Sequence, residues 1–132
     1  MLVAELMEKN VLTVGAEATV ADVIVTMSDA HVSSLPVVDR HGRLLGVVSS
    51  TDVLNAEAEA EGGGLKTLLA KTTVETIMTT RRLGVSPETS VREAAQQMLY
   101  ADVHRLYVVE HDRVIGVIST TDIVRAVATG QL

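Results

Sequence analysis

Gly46-Val47-Val48-Ser49-Ser50-Thr51-Asp52 recurs as Gly116-Val117-Ile118-Ser119-Thr120-Thr121-Asp122. Twice, an apolar strand runs into a hydroxyl-rich helix start that carries an acid on its third position. The surroundings repeat as well. Thr13-Val14 through Thr19-Val20 aligns with Gly84-Val85 through Ser90-Val91 at an offset of 71 residues (84 − 13). The offset falls to 70 (116 − 46) because the turn Arg40-His41-Gly42-Arg43 is one residue longer than His111-Asp112-Arg113. A duplication of this kind decides the architecture before any local reading. It implies two copies of one unit, with a cleft between the copies as the expected functional site.

A chain of 132 residues fits one compact domain or two very small ones. Repeats of roughly 50 residues bury too little surface to be secure alone, so the copies are expected to share one core. Apolar residues make up 47% of the chain, with Phe and Trp absent and only Tyr100 and Tyr107 aromatic. A planar ligand ring must then lie between aliphatic side chains and backbone. Single-stranded nucleic acid, normally held on aromatic faces above a cationic groove, does not fit this composition. A net charge of −6 offers no footprint for DNA or an anionic membrane. No apolar run reaches the roughly 20 residues of a membrane span, and Met1-Leu2-Val3-Ala4-Glu5-Leu6 lacks the basic region of a signal peptide. Thiol chemistry is excluded because cysteine is absent. The expectation is a soluble cytoplasmic protein.

Periodicity assigns the elements of each copy. Val11-Leu12-Thr13-Val14 reads as a short strand, and Thr19 as an N-cap with Asp22 three residues on. Val20, Val23, Ile24 and Met27 then form one face of an amphipathic helix. Ser90 and Glu93 predict a capping box ahead of Val91, Ala94, Ala95 and Met98. Each helix leads into paired strands, Leu35–Val38 with Leu44–Val48 and Leu106–Val109 with Val114–Ile118, joined at His41-Gly42 and Asp112-Arg113. Second helices are predicted over about Ser50 to Ala60 and Thr120 to Ala128. Leu65 to Lys71 is predicted as a short bridging helix, and Val74 to Met78 as the opening of the second repeat. Each unit thus reads strand, helix, strand, strand, helix, in an α+β chain.

The two Ser-x-x-Asp helix starts carry the chemistry. First-turn amides lack intrahelical partners and stand at the positive end of the helix dipole, which favours a phosphate. Ser49, Thr51, Ser119 and Thr121 add hydroxyl donors, while Asp52 and Asp122 suit the vicinal hydroxyls of a ribose. Ribose, phosphate and an aliphatic slot together describe a nucleotide. The same motif is also a plain capping arrangement. Four histidines, His31, His41, His104 and His111, match no standard metal-ligand spacing and read as solvated. Met7, Met27, Met78 and Met98 recur in pairs as gap-filling core residues, and Arg81-Arg82 reads as an exposed pair. No oriented nucleophile, paired-carboxylate constellation or P-loop is present, so an enzyme is not expected.

The chain resembles, over nearly its whole length, a tandem pair of cystathionine-β-synthase (CBS) domains, a Bateman module. The features that carry this are Met78-Thr79, Val85-x-Pro87, His104-Arg105-Leu106-x-Val108-Val109 and the two Gly-x-x-Ser-x-x-Asp segments ending at Asp52 and Asp122. The resemblance implies two β-α-β-β-α repeats related by a pseudo-twofold axis, a CBS domain at 7–60, a linker with a short helix at 61–77, and a second CBS domain at 78–132. It also implies a homodimer and adenosyl ligands, AMP, ADP, ATP or S-adenosylmethionine, bound between the repeats with no required cofactor and no metal. Carried over, one site joins Ser49, Thr51 and Asp52 to Val85, Pro87, His104 and Arg105. The other joins Ser119, Thr121 and Asp122 to Thr13, Val14, Ala16, Ser33, Ser34 and Pro36. Asp holds the ribose, hydroxyls the phosphate, and first-strand backbone the adenine edge. Arg105 and His104 are expected to give the first site a preference for phosphorylated nucleotides. Ser34 and Ser33, their neutral counterparts, leave the second for a less charged derivative or empty. Tyr107, standing where the other repeat has Pro36, is weighed as narrowing its site. The expected role is a stand-alone regulatory sensor that signals bound state to a partner protein; the alternative is an interaction-only scaffold whose clefts bind no nucleotide.

Overall fold

Cap chemistry starts the two long amphipathic helices. In the computed structural model, which describes residues 1–59, 64–80 and 84–132, Thr19 Oγ1 accepts from the Asp22 N–H (3.2 Å) and Asp22 Oδ2 accepts from the Thr19 N–H (3.1 Å). This closes a capping box on α2 (Val20–Ala30). Ser90 caps α5 (Val91–Ala101) by accepting from the Glu93 N–H at 3.1 Å. The return bond from Glu93 is absent among the described residues, so here the box expected from sequence is half made. Val20, Val23 and Met27, and likewise Val91, Ala94 and Met98, turn inward and are buried.

Each repeat supplies a three-stranded sheet. β1 (Val14–Gly15) pairs parallel with β2 (Ser34–Val38), which pairs antiparallel with β3 (Leu44–Ser49). β4 (Gly84–Val85), β5 (Arg105–Glu110) and β6 (Arg113–Ser119) repeat that order and sense. The first strand is shorter than its predicted span, because only Val14 and Gly15 find ladder partners, Val37 and Val38. The hairpins differ as their lengths require. The β5–β6 turn is two residues, His111 and Asp112, both left-handed (φ 53° and 66°), a geometry that follows the sheet twist. The longer β2–β3 turn is closed by Asp39, whose Oδ1 accepts from the N–H groups of His41 (2.8 Å) and Arg43 (3.0 Å), with Gly42 at φ 82°. Partial desolvation pushes the Asp39 carboxyl up, yet these bonds and the Arg43 guanidinium at 2.9 Å outweigh it and hold it below the usual carboxylate range.

α3 (Ser50–Glu59) and α6 (Thr120–Ala128) follow the sheets, and α4 (Gly64–Lys71) covers the predicted bridging helix. Ala60, Arg81 and Arg82, also assigned from sequence, lie outside the described residues.

The chain divides into two compact units, Leu12–Arg82 and Met1–Val11 with Leu83–Leu132. The division exchanges the leading segments of the repeats. Val74 to Met78, read from sequence as opening the second repeat, packs in the first-repeat unit. There the Val74 N–H bonds the Ala18 carbonyl at 2.8 Å, the Glu75 N–H bonds Ala16 at 3.2 Å, and Val74 is wholly buried with Val14, Val23 and Val37. In the second-repeat unit α1 (Val3–Leu6) repeats these contacts at the same offset of 71 (74 − 3). Val3 N–H bonds Thr89 at 2.8 Å, Ala4 N–H bonds Pro87 at 3.0 Å, and Val3 is wholly buried against Val85, Val91 and Val108. Met7 and Met78 pack at the edges of these two cores, while Met27 and Met98 sit inside them.

Candidate functional site

The duplicated glycines mark where the leading segments land. Thr79 pairs through both backbone groups with Val47 (2.9 and 2.8 Å), and Glu8 pairs likewise with Val117 (2.8 and 3.0 Å). A Cβ on Gly46 would lie 2.6 Å from the Thr79 carbonyl oxygen; one on Gly116 would lie 2.7 Å from Met7 Sδ and 3.0 Å from the Glu8 carbonyl oxygen. Glycine therefore admits a chain segment directly beside each Ser-x-x-Asp helix start.

In the second-repeat unit strand register brings the polar groups together. Arg105 opens β5 opposite Ser119 at the end of β6, and the Thr120 N–H donates to the His104 carbonyl at 3.0 Å. Ser119 Oγ accepts from the Asp122 N–H (3.2 Å), while Asp122 Oδ2 accepts from the Ser119 N–H (2.9 Å). The Thr121 amide, between these two, has no partner among the described residues. Among the described residues, Asp122 Oδ1 meets only the Arg125 guanidinium, 3.6 Å away. An open pocket of about 440 Å³ lies over these groups, lined by Ser119 to Asp122, His104 and Arg105, Val117, Glu8 and Arg125. It offers hydroxyls, one unpaired first-turn amide and two guanidiniums, which suit a phosphate. It also presents two carboxylates. Arg105 and His104, expected from the resemblance to serve Asp52, line the pocket of Asp122.

The first-repeat unit uses the same motif with its carboxylate already engaged, while the Thr51 amide, like that of Thr121, has no partner among the described residues. Ser34 stands opposite Ser49 in the strand register, and the Ser33 carbonyl accepts from the Ser50 N–H (2.9 Å) and hydroxyl (3.2 Å). Asp52 Oδ2 accepts from the Ser49 N–H (2.8 Å) and hydroxyl (3.1 Å), and Oδ1 accepts from the Thr79 hydroxyl (3.1 Å). Both acids thus cap their own helices, as the local reading of Ser-x-x-Asp required. Asp122 keeps an oxygen free of hydrogen bonds among the described residues.

The remaining predicted site residues are spread over the strand entries. Thr13, Ser33 and Thr51 are exposed, while Val14, Pro36, Val85 and Pro87 are buried. Ala16 lines a second hollow of about 550 Å³ at the ends of β1 and β2, shared with Glu17, Asp39, Arg40 and Glu75. Tyr107 is 2% exposed and does not line the Asp122 pocket. Sequence reading missed Glu8, Arg125 and the role of Thr79. The signal for the first and third was their shared offset of 71 (79 − 8) beside the paired Met7 and Met78. Arg125 stands three residues beyond Asp122 on α6, within reach of its carboxylate.

The family model of the CBS domain matches residues 3–59 and 74–129. The chain belongs to the CBS domain family. A CBS domain structure, CBSX2 in complex with AMP, superposes with a TM-score of 0.83 at 29% identity, over 99% of this chain and 98% of that one. The CBS domain pair of protein MJ0100, in complex with 5-methylthioadenosine and S-adenosyl-L-methionine, superposes with a TM-score of 0.80 at 26% identity over 96% and 99%. The uncharacterized protein MJ0188 of Methanocaldococcus jannaschii is 30% identical over 127 residues, 94% of this chain and 43% of that protein. The chain spans less than half the length of the first curated relatives it matches. Two CBS repeats, each a three-stranded sheet with helices, account for the α+β architecture. No helix among the described residues is long and apolar enough to cross a membrane.

Proposed function

We propose that this CBS pair is a regulatory module that binds an adenosine-containing ligand and passes the bound state to a partner protein, without catalysis of its own. The observation that carries the reading is the Asp122 pocket. There a carboxylate oxygen with no hydrogen bond, three hydroxyl side chains and Arg105 share one space of about 440 Å³. Asp122 takes the ribose hydroxyls; Thr121 and Arg105 take the phosphate. Backbone at the strand entries, including Thr13, Val14, Ala16, Val85 and Pro87, completes the sites around adenine. Since the cations stand beside Asp122, the preference for a phosphorylated nucleotide belongs to this pocket. That AMP, and S-adenosylmethionine with methylthioadenosine, occupy the two solved CBS structures supports the ligand class. AMP fits the charge balance better than ATP, because Glu8 and Asp122 oppose a further run of phosphates. Signalling follows if ligand binds two arrangements of the module unequally. Exposed Leu54, Val124 and Val127 on α3 and α6 support a homodimer.

The scaffold reading draws on Asp52, whose carboxylate is satisfied without any ligand. A thermal-shift panel of AMP, ADP, ATP and S-adenosylmethionine separates the two. A ligand that binds only the folded chain stabilises it by about 2.7 kcal/mol at a hundred times its Kd, so the midpoint climbs with concentration. A midpoint unmoved by every member rules out the sensor reading.

A further inference from the structure

The two leading segments place different residues at equivalent points of the two Ser-x-x-Asp groups. Thr79 and Glu8 are both backbone-paired to the central strand residue after the duplicated glycine, Val47 or Val117. Thr79 donates its hydroxyl to Asp52 Oδ1 at 3.1 Å. Glu8 carries a carboxylate in place of the Thr79 hydroxyl and lines the Asp122 pocket. A carboxylate has about four lone-pair positions. Asp52 already accepts three hydrogen bonds, from the Ser49 amide, the Ser49 hydroxyl and the Thr79 hydroxyl. Among the described residues, Asp122 accepts one, from the Ser119 amide. A vicinal diol donates two. Asp122 can receive both without losing a partner, whereas Asp52 must release Thr79 or the Ser49 hydroxyl first.

We propose that Thr79 is a latch that withholds Asp52 from ligand, so that the pair fills in order: the Asp122 half-site binds first and tightly, the Asp52 half-site second and weakly. This rests on the adenosine-binding reading above. It makes residues 8 and 79, outside the Ser-x-x-Asp motif itself, the determinants of which half-site responds at low ligand concentration. The latch is exposed to solvent and its worth is modest, a factor of roughly three to ten in the weaker binding step.

Calorimetric titration of AMP into the full chain tests it, alongside Thr79→Val, Thr79→Ser, Asp52→Asn and Asp122→Asn, each first checked by thermal melting. The expected result is a tight step lost in Asp122→Asn and kept in Asp52→Asn. Thr79→Val tightens the weak step three- to tenfold, and Thr79→Ser, which keeps the hydroxyl, leaves it where it was. A tight step lost in Asp52→Asn instead, two indistinguishable steps in the parent chain, or a Thr79→Val profile identical to the parent would each overturn the latch while leaving adenosine binding intact. Absence of any AMP binding in the parent and in every variant would overturn both.

Discussion

Four charged side chains in the Asp122 pocket oppose one another, and the balance sets ligand choice. Replacing Arg105 with Ala removes a charge-assisted donor to phosphate and is expected to weaken AMP by roughly ten- to a hundredfold, read by calorimetry. An unchanged AMP affinity would remove Arg105 from the site. Glu8→Gln removes the opposing anion, so ATP should gain more affinity than AMP, by several-fold at low salt and less at high salt; equal gains would mean Glu8 does not face the phosphates. Arg105 was named through the family resemblance but assigned there to Asp52; its register opposite Ser119 is seen only in the structure. Glu8 was not named. It lies 114 residues (122 − 8) before Asp122, and its place depends on where a leading segment docks, which no periodicity records.

Helices and hairpins were largely readable, since caps, apolar spacing and turn residues act within a few positions. The first strand was read at Val11–Val14 but its extent was not, because a two-residue strand is delimited only by its partners. The duplicated glycines are the elements' most sensitive points. Gly46→Ala drives a methyl against the Thr79 carbonyl oxygen at 2.6 Å, while at Gly116 the nearest atom is a Met7 sulfur that can swing aside. Gly46→Ala should therefore cost more, about 2–3 kcal/mol against 1–2 for Gly116→Ala, in chemical denaturation; equal costs would contradict the close approach of Thr79. Asp39 gives the β2–β3 turn a pH signature. Its folded carboxyl titrates below the ordinary value of 3.8. The turn's contribution is thus complete above that value and fades as pH falls through the lower folded pKa. Asp39→Asn should flatten this acid limb of the melting curve, and an unaltered limb would count against it.

Exchange of the leading segments makes each compact unit depend on residues from both ends of the duplication. Val3 and Val74, wholly buried at equivalent points, should each cost about 2 kcal/mol when changed to Ala, measured by urea denaturation. A cost below 0.5 kcal/mol would mean that the segment is not docked. The duplication itself, and hence two like units, was plain from the sequence. The exchange was hidden because both docking sites have nearly the same composition, so pattern alone cannot say which segment enters which. Function at this scale turns on Asp122, the less saturated of the two Ser-x-x-Asp carboxylates among the described residues. Amide shift mapping during an AMP titration interrogates it most directly: the account predicts the largest changes at Thr121, Asp122 and Arg105. A response confined to the hollow around Gly15, Glu17 and Glu75, or none anywhere in the chain, would contradict it.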